Sequence, residues 1–329
     1  MKRLCAAIGA ALSLGGCEAA PLGYLGPAGP AARVLASLGW GLLIISAVVC
    51  LIVLALLIFA MARRRPPEDS TLGGGNDRAA IRWIIGGAGF STLVLLGAAI
   101  WTLWAAQTVT NASTPAGLTI DVTGHQWWWE ARYQSDDRSR EFTTADELVI
   151  PVGVPVQVNL RSNDVIHTFW VPRLAGKTDT IPGVTNRTRI QADKPGIYRG
   201  QCSEYCGLEH AHMAFFVVAV ARDRFNAWWD RQLQAATYEP SNQGQQVFLD
   251  KCAACHAVRG LSAGGILGPD LSHFGSRKTI GAGALENTPE NLAYWIDHTQ
   301  IVKPGAKMPS LDLPSDQVKS VVDYLERLK

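Results

Sequence analysis

Two thiols, an imidazole and a thioether fall within the run Cys202-Ser203-Glu204-Tyr205-Cys206-Gly207-Leu208-Glu209-His210-Ala211-His212-Met213. Thiolate and thioether are soft donors that select copper, and His with Cys and a weak Met is a donor set of copper electron-transfer sites. A mononuclear site of that kind needs one Cys. Cys202 and Cys206, four apart, can instead bridge two coppers, each then wanting one His and one weak axial donor. His210 and Met213 supply one of each, so a second imidazole has to come from elsewhere in the chain. A Cys202–Cys206 disulfide and a zinc site are the other readings; zinc takes Cys, His and carboxylate, which leaves Met213 unexplained.

A second motif is Cys252-Ala253-Ala254-Cys255-His256. The pattern C-x-x-C-H attaches a c-type haem through two thioethers, with His256 as the proximal iron ligand. A redox or zinc motif is the competing reading, although neither a thioredoxin-like βαβ pattern nor a second Cys pair accompanies it. The distal ligand is argued from the four methionines. Met1 lies in the leader, Met61 in an apolar run and Met213 in the first motif, which leaves Met308 in Lys307-Met308-Pro309. His273 and His298 remain rivals.

The elements that must position these residues follow from composition. The 329 residues exceed what one core usually holds. A net charge of +2 with no basic stripe is no signature of a nucleic-acid partner. Residues 1–16 read as a signal peptide, with Lys2 and Arg3 ahead of a short apolar stretch. Leu14-Gly15-Gly16-Cys17 resembles a bacterial lipobox, making Cys17 a lipidation candidate; a plain signal or an uncleaved anchor is the alternative. Residues 17–33 read as a periplasmic linker. Residues 34–106 read as a transmembrane hairpin, with apolar spans Val34–Ala62 and Ile81–Ala106, each at least the ~20 residues a spanning helix needs. Arg63-Arg64-Arg65 would face the cytoplasm, Pro66 to Asp77 would turn the chain back, and Trp101 and Trp104 suit a membrane interface. A buried hairpin in a soluble core is the other reading. Everything after residue 107 then lies on the periplasmic side.

Residues 117–221 carry short β-rich runs: 118–122, 147–150, 155–160, 187–192 and 215–220. They predict a compact antiparallel barrel or sandwich whose two last strands hold the first motif between them. In 222–243, Asp223 is expected to cap a helix holding Trp228 and Trp229, followed by a linker from Ala235. In 244–329, helices are expected over 243–250, after a Thr288 cap with Pro289 in the first turn, and after a Ser315 cap, with Val318, Val321, Val322, Leu325 and Leu328 as an apolar stripe.

Taken together, these motifs resemble subunit II of haem-copper cytochrome c oxidases, in the form with a cytochrome c fused at the C-terminus. The family's pattern C-x-E-x-C-x-x-x-H-x-x-M is complete here. The resemblance implies a multidomain membrane protein: a two-helix transmembrane hairpin, a cupredoxin-like β-barrel and an all-α class I cytochrome c domain. It implies that His167, in Asp164-Val165-Ile166-His167-Thr168-Phe169, is the missing imidazole. It further implies that the carbonyl of Glu204 is a weak axial donor, while its carboxylate binds a magnesium ion shared with subunit I. Trp127, in His125-Gln126-Trp127-Trp128-Trp129, would be where electrons enter; as a strand, this run would put Trp127 and Trp129 on one face. Lys177 to Gly183 resembles the loop packed against the catalytic subunit, and Gly268-Pro269-Asp270-Leu271 the proximal side of small cytochromes.

The implied function is electron input to a bacterial respiratory cytochrome c oxidase of the inner membrane. Electrons would pass from an external donor to haem c, to a binuclear copper centre, and on to haem in subunit I, where oxygen is reduced and protons are pumped; a subunit III would complete the assembly. One departure stands out. Many relatives carry a Glu at the cytoplasmic entry of the second span, where this chain reads Asn76-Asp77-Arg78-Ala79-Ala80-Ile81-Arg82, and the role is not transferred to Asp77. Rival readings are the electron-input subunit of a copper-containing nitric oxide reductase and a membrane-tethered copper-delivery protein.

Overall fold

A computed structural model describes residues 21–63, 77–110, 115–235 and 243–329. The expected leader 1–16, Cys17, Arg64, Arg65, the turn-back at 66–76, the side chain of Asp77 and linker residues 236–242 lie outside the described residues. The chain forms two compact units, one of residues 33–113 and one of the remainder.

Two long helices, α1 (Pro30–Ala62) and α2 (Asp77–Thr110), account for the first unit. At 1.5 Å per residue each is about 50 Å long, more than the ~30 Å of a bilayer's hydrocarbon core. Both outrun the expected spans by several residues at their N-terminal ends; Pro30 opens α1, where its fixed φ suits a first helical turn. Apolar side chains lie open along both, including Leu51, Phe59, Ile84, Leu95 and Ile100. A helix apolar all round is one buried in a large protein's core or in a membrane. By length and composition both helices can cross a membrane. Hydroxyls of Thr92, Thr102 and Thr108 donate to the carbonyl four residues back, each at 2.8 Å, so their polarity stays inside the helix. Gly41 lets α1 meet the indole of Trp101, which a Cβ would approach to 2.1 Å.

In the second unit a β domain comes first. Its strands are β1 (Leu118–His125), β2 (Trp128–Tyr133), β3 (Phe142–Ala145), β4 (Glu147–Pro151), β5 (Val156–Ser162), β6 (His167–Phe169), β7 (Thr178–Thr180), β8 (Asn186–Ile190), β9 (Gly196–Gln201) and β10 (Ala214–Val220). They form a five-stranded sheet ordered β3-β2-β1-β5-β8, a three-stranded sheet β4-β10-β9, and the pair β6-β7. Alternating burial along β1 puts Leu118, Ile120 and Val122 inward, and they share one core with Leu148, Ile150, Phe215 and Val217 of the other sheet. The sheets are mixed, not wholly antiparallel as expected: β1 runs parallel to β5 and β4 parallel to β10. The chain leaves the first sheet for β4 and re-enters it at β5 in the direction of β1. Residues 21–29, expected as linker, are tied to this domain by Ala28 N–H to Arg173 O (2.7 Å) and Asp193 N–H to Ala28 O (2.8 Å).

Helix α3 (Arg222–Leu233) follows. Ala221 occupies its cap, and Asp223 lies within the first turn, where an acid still meets the helix dipole. The last domain holds α4 (Gln243–Lys251), α5 (Pro289–Asp297), α6 (Thr299–Val302) and α7 (Ser315–Arg327). Thr288 caps α5 by accepting from Asn291 N–H at 3.3 Å. Ser315 does not cap α7; Pro314, already extended, stands at that position. Helices α4 and α7 touch at Gly244, where a Cβ would lie 1.9 Å from the Ser320 carbonyl oxygen. Phe248, Ile296, Val321, Val322, Leu325 and Leu328 form the core. Two small strand pairs, 257–258 with 263–264 and 279–280 with 285–286, supplement the helices.

Candidate metal centres

The first donor cluster hangs between β9 and β10, which are antiparallel neighbours. Cys202 N–H donates to Met213 O (3.0 Å) and closes the base of the loop; Ser203 N–H donates to Thr168 O (3.2 Å) and ties it to β6. That tie brings in His167, 35 residues before Cys202. The two sulfurs are 3.7 Å apart and unbonded. His167 Nδ1 is 4.0 Å from the sulfur of Cys202, and His210 Nδ1 is 3.5 Å from that of Cys206. The Met213 sulfur lies 3.8 Å from that of Cys206, and the Glu204 carbonyl oxygen 3.3 Å from that of Cys202. His167, Cys202 and Cys206 converge to within 4.8 Å. Two thiols, two imidazoles and a buried thioether in one pocket suit copper better than any harder ion. The Glu204 side chain points outward and is exposed.

Charge in this pocket is arranged around Asp164. Its carboxylate accepts from His167 Nε2 (2.8 Å) and from Gln126 N–H (2.7 Å). Burial works against its charge, but these bonds outweigh it and hold its pKa at about 2. An acceptor on Nε2 leaves Nδ1 facing the sulfurs as a lone pair, the outer-shell arrangement that orients metal-binding imidazoles. The two thiols share a proton across their 3.7 Å contact, which pulls Cys202 down, while the same contact and burial push Cys206 up. Sequence reasoning gave Asp164 no role, although its i,i+3 spacing to His167 was there to be read.

Trp127 does not lie in a strand. His125 pairs with Trp128 across the β1–β2 hairpin, which leaves Gln126 and Trp127 as the turn. The turn leans on the sulfur loop: Trp127 Nε1–H (2.9 Å) and the Gln126 amide (2.8 Å) both donate to the Cys206 carbonyl. Gly207, at φ 115°, keeps the loop flush with the indole. Trp129 is fully buried against Phe169 and Phe215, so both rings are internal although they do not share a strand face. The 177–183 segment contains β7, which pairs with the His167 strand; Thr180 Oγ1 donates to the His167 carbonyl.

The second cluster opens at the end of α4. Cys255 and His256 N–H both reach back to the Cys252 carbonyl at 3.0 Å, a tight turn that sets all three side chains. His256 Nδ1 lies 2.7 Å from the Pro269 carbonyl oxygen. A carbonyl only accepts, so Nδ1 carries the proton and Nε2 keeps its lone pair. Gly268 leaves room for the ring, since a Cβ there would meet Cε1 at 2.6 Å. Cys252, Cys255, His256 and Met308 line one crevice of about 290 Å³, walled by Phe248, Trp295 and Leu325. His273 lines a different cavity, and His298 is half-exposed and stacked on Tyr294. Two cysteines, an imidazole and a thioether on an apolar crevice fit a c-type haem.

The crevice is completed by the β domain, which contributes Gln126, Trp127, Trp128 and Asp146 to its wall. Ala214 N–H donates to Ala282 O (3.0 Å), and Lys278 N–H to the Glu147 carboxylate (2.5 Å), across the same junction. Fold and donor sets therefore define a protein with two apolar helices, a cupredoxin-like domain and a cytochrome c domain.

Residues 136–220 match the family model for the periplasmic domain of cytochrome c oxidase subunit II, and residues 241–329 match that for cytochrome c. Cytochrome c oxidase subunit 2 of Alkalihalophilus pseudofirmus is 42% identical over 215 residues, 64% of this chain and 61% of that protein. The subunit 2 of Bacillus sp. strain PS3 is 34% identical over 227 residues, 64% of this chain and 62% of that one. Among solved structures, the periplasmic domain of subunit II of cytochrome oxidase from Bradyrhizobium japonicum is 35% identical, covering 36% of this chain and 95% of that one, with a TM-score of 0.34. The chain spans about three fifths of the length of the curated relatives it matches. Over these stretches it is similar to the periplasmic domain of cytochrome c oxidase subunit II and to cytochrome c, in that order along the chain.

Proposed function

We propose that this chain is the electron-input subunit of a respiratory cytochrome c oxidase in a bacterial inner membrane. It takes electrons from an external donor onto haem c and passes them to a binuclear copper centre and on to haem in subunit I, with subunit III completing the assembly. The observation that carries this reading is Trp127, which lines the haem crevice and hydrogen-bonds to the backbone of Cys206 in the sulfur loop. One side chain thus spans the two clusters.

His167, Cys202, Cys206, His210, Met213 and the Glu204 carbonyl would hold the two coppers. Cys252 and Cys255 would anchor the haem, and His256 and Met308 would be its iron ligands. When bound, these groups supply one-electron redox chemistry. The chain's own residues supply the rest. Asp164 fixes the His167 ring, Pro269 fixes the His256 ring, and the apolar shell of Trp129, Phe169 and Phe215 keeps water from the sulfurs. The exposed Glu204 carboxylate is free to bind a magnesium ion at the boundary with subunit I, since magnesium takes one or two carboxylates and keeps several waters. A copper-delivery module would have no need of a haem crevice walled by the copper domain. The test is elemental analysis with a pyridine haemochrome assay on the intact chain. Two coppers per haem are expected, and one copper per haem would remove the binuclear assignment.

A further inference from the structure

Lys303 follows α6 and precedes Met308 by five residues, yet its side chain leaves the haem domain. Its ammonium donates to the carbonyls of Trp127 (2.6 Å), His212 (2.7 Å) and Gly281 (2.9 Å), and the residue is only 3% exposed. An ammonium has three N–H donors, and here all three end on carbonyls. Burying a charge without a directly paired carboxylate is costly. A methionine could hold two surfaces together without that cost. What the ammonium adds is convergence: it fixes three backbone segments on one point. These are the β1–β2 turn, the sulfur loop between His210 and Met213, and the haem-domain turn at 281. Beside it, Gly305 at φ 80° lays its backbone against the Trp127 ring, where a Cβ would sit 3.5 Å from Cη2.

We propose that Lys303 is a positioning residue for haem-to-copper electron transfer, holding Trp127 and the sulfur loop in fixed register with the haem crevice. This rests on the electron-transfer function proposed above. The test uses the full chain, loaded with both metals and purified in detergent, as parent and as Lys303→Met. Haem is reduced by a flash with an added photoreductant, and reduction of copper is followed optically. Positional precision of this kind is worth one to two orders of magnitude in rate. The haem-to-copper rate should therefore fall about tenfold or more, while the bimolecular rate of haem reduction and the copper and haem contents stay unchanged. A haem-to-copper rate within twofold of the parent, or a parallel fall in both rates, overturns the proposal. Amide exchange of the metal-free full chain gives an independent readout. Peptides covering 126–129 and 208–213 should exchange faster in Lys303→Met while those of α7 do not; unchanged exchange, or equal acceleration in α7, overturns it too. If Lys303→Met fails to take up either metal, Lys303→Arg is read in the same way, its planar head being unable to meet three convergent carbonyls. A parent chain with both metals but no transfer between them would sink the functional reading, and the proposal with it.

Discussion

Asp146→Asn isolates a contest between burial and charge at the junction of the two domains. Asp146 is 8% exposed and its carboxylate accepts from Trp129 N–H at 2.9 Å. Burial pushes its pKa up from 3.8 to about 6, while the Trp129 bond and the charges of Lys303 and Arg277 pull the other way. The folded carboxyl therefore keeps its proton to higher pH than the unfolded one. That stability is fully present below 3.8 and is lost as pH rises through 6. At about 1.4 kcal/mol per pH unit the loss is about 3 kcal/mol. Asparagine cannot titrate, keeps the Trp129 bond through its amide oxygen, and tolerates the left-handed φ of 60° at this position. The stability of Asp146→Asn relative to the parent should thus rise by about 3 kcal/mol between pH 3.5 and pH 7. For a folded body of this size that is about 6–12 °C in Tm. Parallel thermal melts of the haem-loaded chain at several pH values, followed by near-ultraviolet dichroism, measure it. A gap that stays constant or narrows would show that Lys303 and Arg277 outweigh burial, and would refute the reasoning.

Met308→Ala should retain haem through Cys252 and Cys255 but lower its potential and abolish the methionine–iron charge-transfer band; survival of that band would remove Met308 as the distal ligand. Glu204→Gln changes only the exposed carboxylate and leaves the carbonyl facing Cys202, so the copper spectrum should stay while manganese substituted at the subunit boundary loses its paramagnetic resonance signal. Gly244→Ala places a methyl against the Ser320 carbonyl and should cost the haem domain about 1–3 kcal/mol, read from melting at the haem band; an unaltered melt would contradict the close α4–α7 approach.

Legibility in the sequence followed contiguity. The sulfur loop and the haem motif could be read because their donors lie within a few residues of each other, so type and spacing already specify the chemistry. His167 entered only through family resemblance, since nothing local marks a lone imidazole as facing a loop 35 residues on. The two helices announced themselves by unbroken apolar length. Strands β2, β3, β6, β7 and β9 did not, being short, polar on one face or interrupted by glycine; Gly200 in β9 leaves room for the Phe215 ring. The Trp127 turn reads as strand because alternation of large rings looks the same at a hairpin end. Lys303 was invisible, its partner Trp127 lying 176 residues away.

The covered ring of Trp127 has a kinetic meaning as well. Only 8% of the residue meets solvent, with Gly305 of the haem domain against the ring and Lys303 on its carbonyl. A covalently tethered neighbour competes for such a spot at an effective concentration in the millimolar range. A free protein seeking the same ring would have to displace an occupant that never diffuses away. Under the function proposed above, an outside donor would then have to recognise the haem domain and not the β domain.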